Sequence, residues 1–241
     1  ADLLGRAVAG QDAAVELLQV IREVAEQAKG MVQSLLMLSR AVPVEKKPVE
    51  LTRVVHNFSN MLRTTLPASI DVVNEFEPDS PAWISADVTE LQQILMNLAL
   101  NARDAMPEGG CLRIAVSSVP AVEMPDRLAP DTSNSSWACI KVSDNGRGIP
   151  AEIRSRIFEP FFSTKPRDKG TGLGLAVVHG IVEDHEGSMH VDSHVNSGTT
   201  FTIYLPQLES EEVSAEFPSF FLNATETSEI YTLAQHNCLL L

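Results

Sequence analysis

The run "DVTELQQILMNLALNARDAM", residues 87–106, constrains the fold more than any other stretch. Leu91, Ile94, Leu95, Leu98 and Ala102 recur at three-and-four spacing, which predicts an amphipathic helix with one buried stripe. Asp87 is placed to cap it, and Glu90 stands three residues on, at capping-box spacing. Asn97, Asn101 and Asp104 recur at four and three, so they share a second face of the same helix. Buried amides must have their hydrogen bonds satisfied. Two readings of that face stand open. Either it bonds a neighbouring loop, or its oxygens ligate a hard cation such as Mg²⁺, which keeps waters and bridges phosphates.

Strand-like runs follow. "GGCLRIAVSS" and "SWACIKVSD" read as paired strands, separated by a loop of roughly 119–136 that is rich in Pro, Asp and Ser. "SMHVDSH" and "GTTFTIYLP" read as a closing hairpin, and residues 69–76 and 82–86 as two short strands joined by a turn. A helix fits residues 49–65 and ends before Pro67. Upstream, Val24, Ala28, Met31, Val32, Leu35 and Leu38 give residues 11–40 a helical stripe of the core or helix–helix kind. Pro43 and Pro48 make "VPVEKKP" linker-like.

Two glycine-bearing turns punctuate this pattern. "DNGRGIP", residues 144–150, follows a strand directly. Glycine permits close approach to the backbone, so the turn is either a plain connection or a ligand wall with Asp144 as its polar contact. An ionised carboxylate only accepts hydrogen bonds, and an exocyclic amine such as that of adenine is a natural donor for it. "KGTGLGLA", residues 169–176, sets Gly170, Gly172 and Gly174 before a helix of about 172–186, an arrangement that offers N–H groups to phosphates. It is neither a Rossmann fingerprint nor a P-loop.

Composition removes some classes. The chain has 241 residues and a formal net charge of −14, without the basic footprint of a nucleic-acid partner. Three single cysteines show no metal or disulfide spacing, and no apolar run is long enough for a bilayer. A cytoplasmic setting is the expectation.

Taken together, these motifs resemble the catalytic, ATP-binding domain of bacterial sensor histidine kinases, in the superfamily shared with gyrase and MutL. "LMNLALNARDAM" resembles the N box, "DNGRGIP" the first glycine box, "IFEPFFSTK" the F box and "GTGLGLAVVHGIV" the second glycine box. They stand in family order across about 83–206. The resemblance implies an α+β fold: a two-layer α/β sandwich of the Bergerat type, its mixed sheet covered by helices on one face. A remnant of an α-helical hairpin would precede it. The implied domains are a partial dimerisation and phosphoacceptor hairpin at 1–42, a linker at 43–50, the ATP-binding domain at 51–206 and an acidic tail or linker at 207–241.

The resemblance also carries roles onto matching positions. Asn101 would coordinate Mg²⁺, and Asn97 would organise the metal and triphosphate beside Asp104. Asp144 would accept from the adenine amine, Gly146 and Gly148 would give the ring room, and Ile149 would line it. Thr200 would support the adenine end, and Lys165 would contact phosphate. Gly170, Thr171, Gly172, Leu173, Gly174 and Leu175 would line the triphosphate under a lid of about 163–171. Phe158, with Phe161 and Phe162, would build the base of that lid. The related ATPases carry a glutamate at the position of Asn97. An amide cannot serve as that base, so slow hydrolysis and transfer to a histidine are implied. The alternatives are a non-catalytic nucleotide-binding module, an ATPase of the gyrase or MutL kind, and a serine-directed kinase of the anti-sigma type.

One family feature is not found. The six histidines are His56, His179, His185, His190, His194 and His236, and none sits on a first hairpin helix before an acid. His179, His185, His190 and His194 read as surface or packing residues, and His56, which follows the second hairpin helix and precedes Asn57, is in the wrong place for the acceptor. The acceptor histidine is expected upstream of Ala1, making this chain a fragment that binds Mg-ATP without labelling itself. Its expected partners are ATP, an acceptor hairpin of the same or another kinase subunit, and a response regulator receiver domain. The parent is expected to be a homodimer, and this chain a weak dimer or monomer.

Overall fold

The computed structural model describes residues 15, 17–19, 21–22, 45–76, 82–123, 136–165 and 170–208. The first six of these are helical, but most of the expected helix at 11–40 and the tail from 209 lie outside the described residues.

Seven strands and four helices make up the rest: β1 (Lys47–Glu50), α1 (Leu51–Thr65), β2 (Ile70–Phe76), β3 (Trp83–Ala86), α2 (Val88–Ala105), β4 (Gly110–Pro120), β5 (Ser136–Asp144), α3 (Ala151–Arg154), α4 (Gly174–Asp184), β6 (Ser188–His194) and β7 (Gly198–Pro206). The main sheet has the order β2-β4-β5-β7-β6. β2 runs parallel to β4, and the remaining pairs are antiparallel.

Period-two alternation sends Leu112, Ile114 and Val116 of β4 to one face, with Ala138, Ile140 and Val142 of β5 and Phe201, Ile203 and Leu205 of β7. The helices bring matching stripes to that core. α1 buries Leu51, Val55, Phe58 and Leu62; α2 buries Leu91, Ile94, Leu95, Leu98, Ala99 and Ala102; α4 buries Ala176, Val177, Val178, Ile181 and Val182. Each fully buried Leu, Ile or Val contributes roughly 1.5–3 kcal/mol by leaving water, so this single layer contact dominates the fold. The opposite face of the sheet holds a small cluster of Trp137, Cys139 and Tyr204. The two-layer sandwich with a mixed sheet is as expected.

Within the stretch read as a linker, Lys47–Glu50 is β1 and pairs antiparallel with β3. The two strands expected at 69–76 and 82–86 are present but do not pair with each other. β2 joins the main sheet in parallel with β4, while β3 pairs with β1 and bridges from Ile84 to Gln207. Their hydrogen bonds go to partners distant in sequence, which local patterns do not report.

Candidate functional site

A cleft of about 670 Å³ opens between α2, the turn after β5, and residues 162–165 and 170–175. Asn97, Asn101 and Asp104 line one wall. Asp87 accepts hydrogen bonds from Thr89 N and Glu90 N, so the start of α2 is fixed as the sequence predicts. The polar face then reaches the cleft one and two turns before the helix ends.

Lys165 Nζ lies 2.5 Å from Asp104 Oδ2 and 3.5 Å from Asn101 Oδ1, while Arg103 Nη2 donates to Asp104 Oδ1 at 2.7 Å. Burial pushes the Asp104 carboxyl up, but the hydrogen bonds and charges of Lys165 and Arg103 outweigh it and hold the group below the usual Asp range. The segment bearing Lys165 is tied at its far side by Phe161 N donating to Gly172 O at 2.9 Å.

Asp144 sits opposite, at the end of β5. Its Oδ1 accepts from Gly146 N at 2.8 Å, and the Thr199 N–H also donates to it. Burial pushes its pKa up, and those two bonds only partly offset the rise. The turn is seated on the end of α2, where Arg147 N donates to Ala105 O at 3.1 Å. A Cβ on Gly146 would lie 2.6 Å from that same Ala105 O, so only glycine permits the approach. Asp144, Arg147, Gly148, Ile149 and Pro150 make this turn one wall of the cleft.

Of the residues named from sequence, Asn97, Asn101, Asp104, Asp144, Gly148, Ile149, Lys165, Gly170, Thr171, Gly172, Gly174 and Leu175 line this one cleft. Four do not. Gly146 lies behind the turn, Leu173 is buried, and Phe158 packs on His179 with ring centroids 5.4 Å apart. Thr200 faces the other side of the sheet and donates to Ser143 Oγ at 2.9 Å. Thr199 takes its place in the wall, because adjacent strand residues point to opposite faces. Phe162, read from sequence as part of the base of the lid, lines the cleft, and sequence reading missed Val195 and Asn196 of the β6–β7 turn. Asn196 has φ 61°, a conformation asparagine tolerates, and its N–H donates to Arg147 O at 2.8 Å. None of the described histidines lines the cleft.

A model of the family described as histidine kinase-, DNA gyrase B-, and HSP90-like ATPase matches residues 86–209. The chain belongs to this family. The match runs from the end of β3 to just beyond β7, so this ATPase-family domain contains every residue lining the cleft. Among curated relatives, it is 37% identical over 199 residues to sensor kinase CckA of Brucella abortus, covering 82% of this chain and 21% of that protein. It is 36% identical over 204 residues to sensor histidine kinase ZraS of Escherichia coli K12, covering 83% of this chain and 39% of that protein. The chain thus spans well under half the length of these relatives. The fold matches full-length ShkA in complex with AMPPNP at TM-score 0.66 and 22% identity, over 82% of this chain and 40% of that one. It also matches the catalytic domain of histidine kinase ThkA at TM-score 0.54 and 28% identity, over 68% of this chain and 96% of that one.

Proposed function

We propose that this domain binds Mg-ATP and is the catalytic region of a two-component sensor histidine kinase, passing the γ-phosphate to a histidine for relay to a response regulator aspartate. One observation carries the reading. A single cleft brings together an acceptor, Asp144, at one end and amides, a lysine and glycine-bearing backbone at the other. That polarity fits a purine at the first end and a triphosphate at the second. The acceptor histidine belongs to a hairpin of the same or a partner subunit. The parent protein is a homodimer that works in the cytoplasm.

The residues fit Mg²⁺ in a restricted way. Among the described residues no cluster of three His, Cys, Asp or Glu could cage a metal. Mg²⁺ does not need one, since it takes one or two protein oxygens and completes its shell with waters and phosphates. Asn101 Oδ1 would hold it, with Asn97 one turn away on the same face. Bound there, the ion supplies charge neutralisation for phosphoryl transfer, which rests on positioning and electrostatics. Asn97 lacks a carboxylate that could activate water, which favours transfer over hydrolysis. The lid residues around Lys165 would close on the phosphates and exclude water.

The test supplies the histidine in trans. This chain is mixed with a histidine-bearing kinase disabled in its own ATP site, and γ-labelled ATP is added. Acid-labile, alkali-stable label on the partner is expected, and Asn101→Ala in this chain should abolish it. Binding of ATP without any transfer would instead favour a nucleotide-binding module. Rapid release of phosphate would favour an ATPase.

A further inference from the structure

Ser193 lies on β6, is 1% exposed, and sits directly behind the Asp144 wall. Its hydroxyl has three partners. Ile149 N donates to it at 2.8 Å, Gly198 O lies 3.0 Å away, and Thr199 Oγ1 lies 3.0 Å away. A serine hydroxyl has one hydrogen to give and two lone pairs to fill. Gly198 O can only accept, so the single hydrogen of Ser193 goes there. Ile149 N–H fills one lone pair. The remaining contact closes only if the Thr199 hydroxyl donates to Ser193. Any other arrangement sets two acceptors face to face in a buried site, and that costs the full desolvation of a polar group.

The consequence lies in the cleft. With its hydrogen committed to Ser193, the Thr199 hydroxyl has only lone pairs left for a ligand. Asp144, whose side chain is bonded by the Thr199 N–H, is also an acceptor. We infer that Ser193 is a positioning residue for purine choice, fixing the Thr199 hydroxyl as a second acceptor beside Asp144 so that a 6-amino purine is favoured over a 6-oxo purine. The inference rests on the ATP reading of the cleft. An exocyclic amine has two N–H donors to offer such a pair, whereas a 6-oxo group meets it with lone pairs. Sites built to satisfy a specific hydrogen-bond pattern discriminate strongly, because the wrong ligand leaves buried groups unpaired.

Without Ser193 the Thr199 hydroxyl is free to rotate and donate into the cleft. The experiment measures dissociation constants for ATP and inosine triphosphate on the whole chain, for wild type, Ser193→Ala, Thr199→Val and the double variant. Ser193→Ala should lower the preference for ATP by about tenfold, the worth of one such bond. In the Thr199→Val background the same substitution should leave the ratio unchanged, since a residue acting through Thr199 has nothing left to act on. Equal weakening of both nucleotides by Ser193→Ala would overturn the inference, as would a full change of ratio in the Thr199→Val background. If Ser193→Ala does not fold, Thr199→Ser and Thr199→Val replace it. The hydroxyl-bearing variant should keep the ratio and the other lose it, and identical ratios would overturn the inference. Wild-type protein that binds neither nucleotide would defeat the ATP reading itself, a result distinct from all of these.

Discussion

Lys165 Nζ lies 2.5 Å from Asp104 Oδ2, so the segment over the cleft is pinned to the helix that carries Asn101. Both side chains are about a quarter exposed, at 24% and 27%. A pair this accessible is worth little by itself, roughly 0–1 kcal/mol. It is therefore easily exchanged for a bond to phosphate, which is charge-assisted on both sides. Lys165→Met should weaken ATP binding by about tenfold while leaving adenosine binding within a factor of about two. Calorimetric titration of both ligands checks this. Equal losses for ATP and adenosine would mean that Lys165 shapes the cleft without touching phosphate.

Asp144 should make nucleotide affinity depend on pH. Burial raises its pKa above the usual Asp value. Folded protein thus holds that proton at a pH where the unfolded chain has released it. The group favours folding below its unfolded value, and this contribution is lost as pH rises through the raised folded value. Binding an amine runs the other way, because the ionised carboxylate is the pure acceptor. ATP affinity should be full well above the raised value and fall on acidification before an ordinary Asp would protonate. Fluorescence titrations across the acid range test this, with Asp144→Asn as the control that loses both the affinity and its pH dependence. An affinity independent of pH would separate Asp144 from the amine.

Much of this site was legible because its parts are local. The three-and-four repeats of Asn97, Asn101 and Asp104 put them on one helix face without knowledge of the fold, and the structure sets that face against the cleft. The glycines of both turns were equally plain. What failed was register and long-range pairing. Thr199 and Thr200 are identical in type, and only the partners of β7 decide which one faces the helices. The parallel pairing of β2 with β4 and the capture of Lys47–Glu50 by β3 depend on strands far away in sequence. Ser193 and His185 were equally opaque. Nothing local marks a serine or histidine as buried when its partners come from other elements.

Gly198 is where the β6–β7 hairpin is pressed against the Asp144 turn. Its φ is +96°, and a Cβ there would fall 1.9 Å from Asp144 O. No rotamer relieves a clash with backbone. Gly198→Ala should cost on the order of 3 kcal/mol in stability, combining strain at a positive φ with forced displacement. Urea denaturation gives the value. Because the displaced group is the residue that forms the purine end of the cleft, ATP affinity should fall in whatever fraction remains folded. A stability change under about 0.5 kcal/mol, typical of an indifferent surface position, would show that the hairpin accommodates the methyl freely.

Glu90 and His185 meet at the far ends of α2 and α4, away from the cleft. Glu90 Oε2 and His185 Nε2 are 3.7 Å apart, the side chains are 14% and 2% exposed, and neither atom has a hydrogen-bond partner. His185 Nδ1 lies 2.8 Å from Ile181 O, and a carbonyl only accepts, so Nδ1 carries the proton. In neutral imidazole Nε2 is then a lone pair facing a carboxylate. Burial, with Asp87 and Asp184 nearby, pushes the Glu90 pKa up, and burial pushes that of His185 down. For Glu90 the favourable contribution to folding exists below its unfolded value and is lost as pH rises through the raised one. For His185 it exists above the unfolded value and is lost as pH falls through the depressed one. At neutral pH the pair therefore suffers from the charge on Glu90. Glu90→Gln replaces it with a neutral side chain whose N–H can donate to Nε2. It should raise stability at pH 7 by about 1 kcal/mol, the usual net worth of one hydrogen bond. That gain should shrink at acid pH, where wild-type Glu90 is itself protonated and supplies the same donor. Melting temperatures of the two proteins from acid to neutral pH decide the matter. A lower melting temperature for the variant at pH 7 would mean that the ionised carboxylate is satisfied in solution and that the two helices are held by its charge.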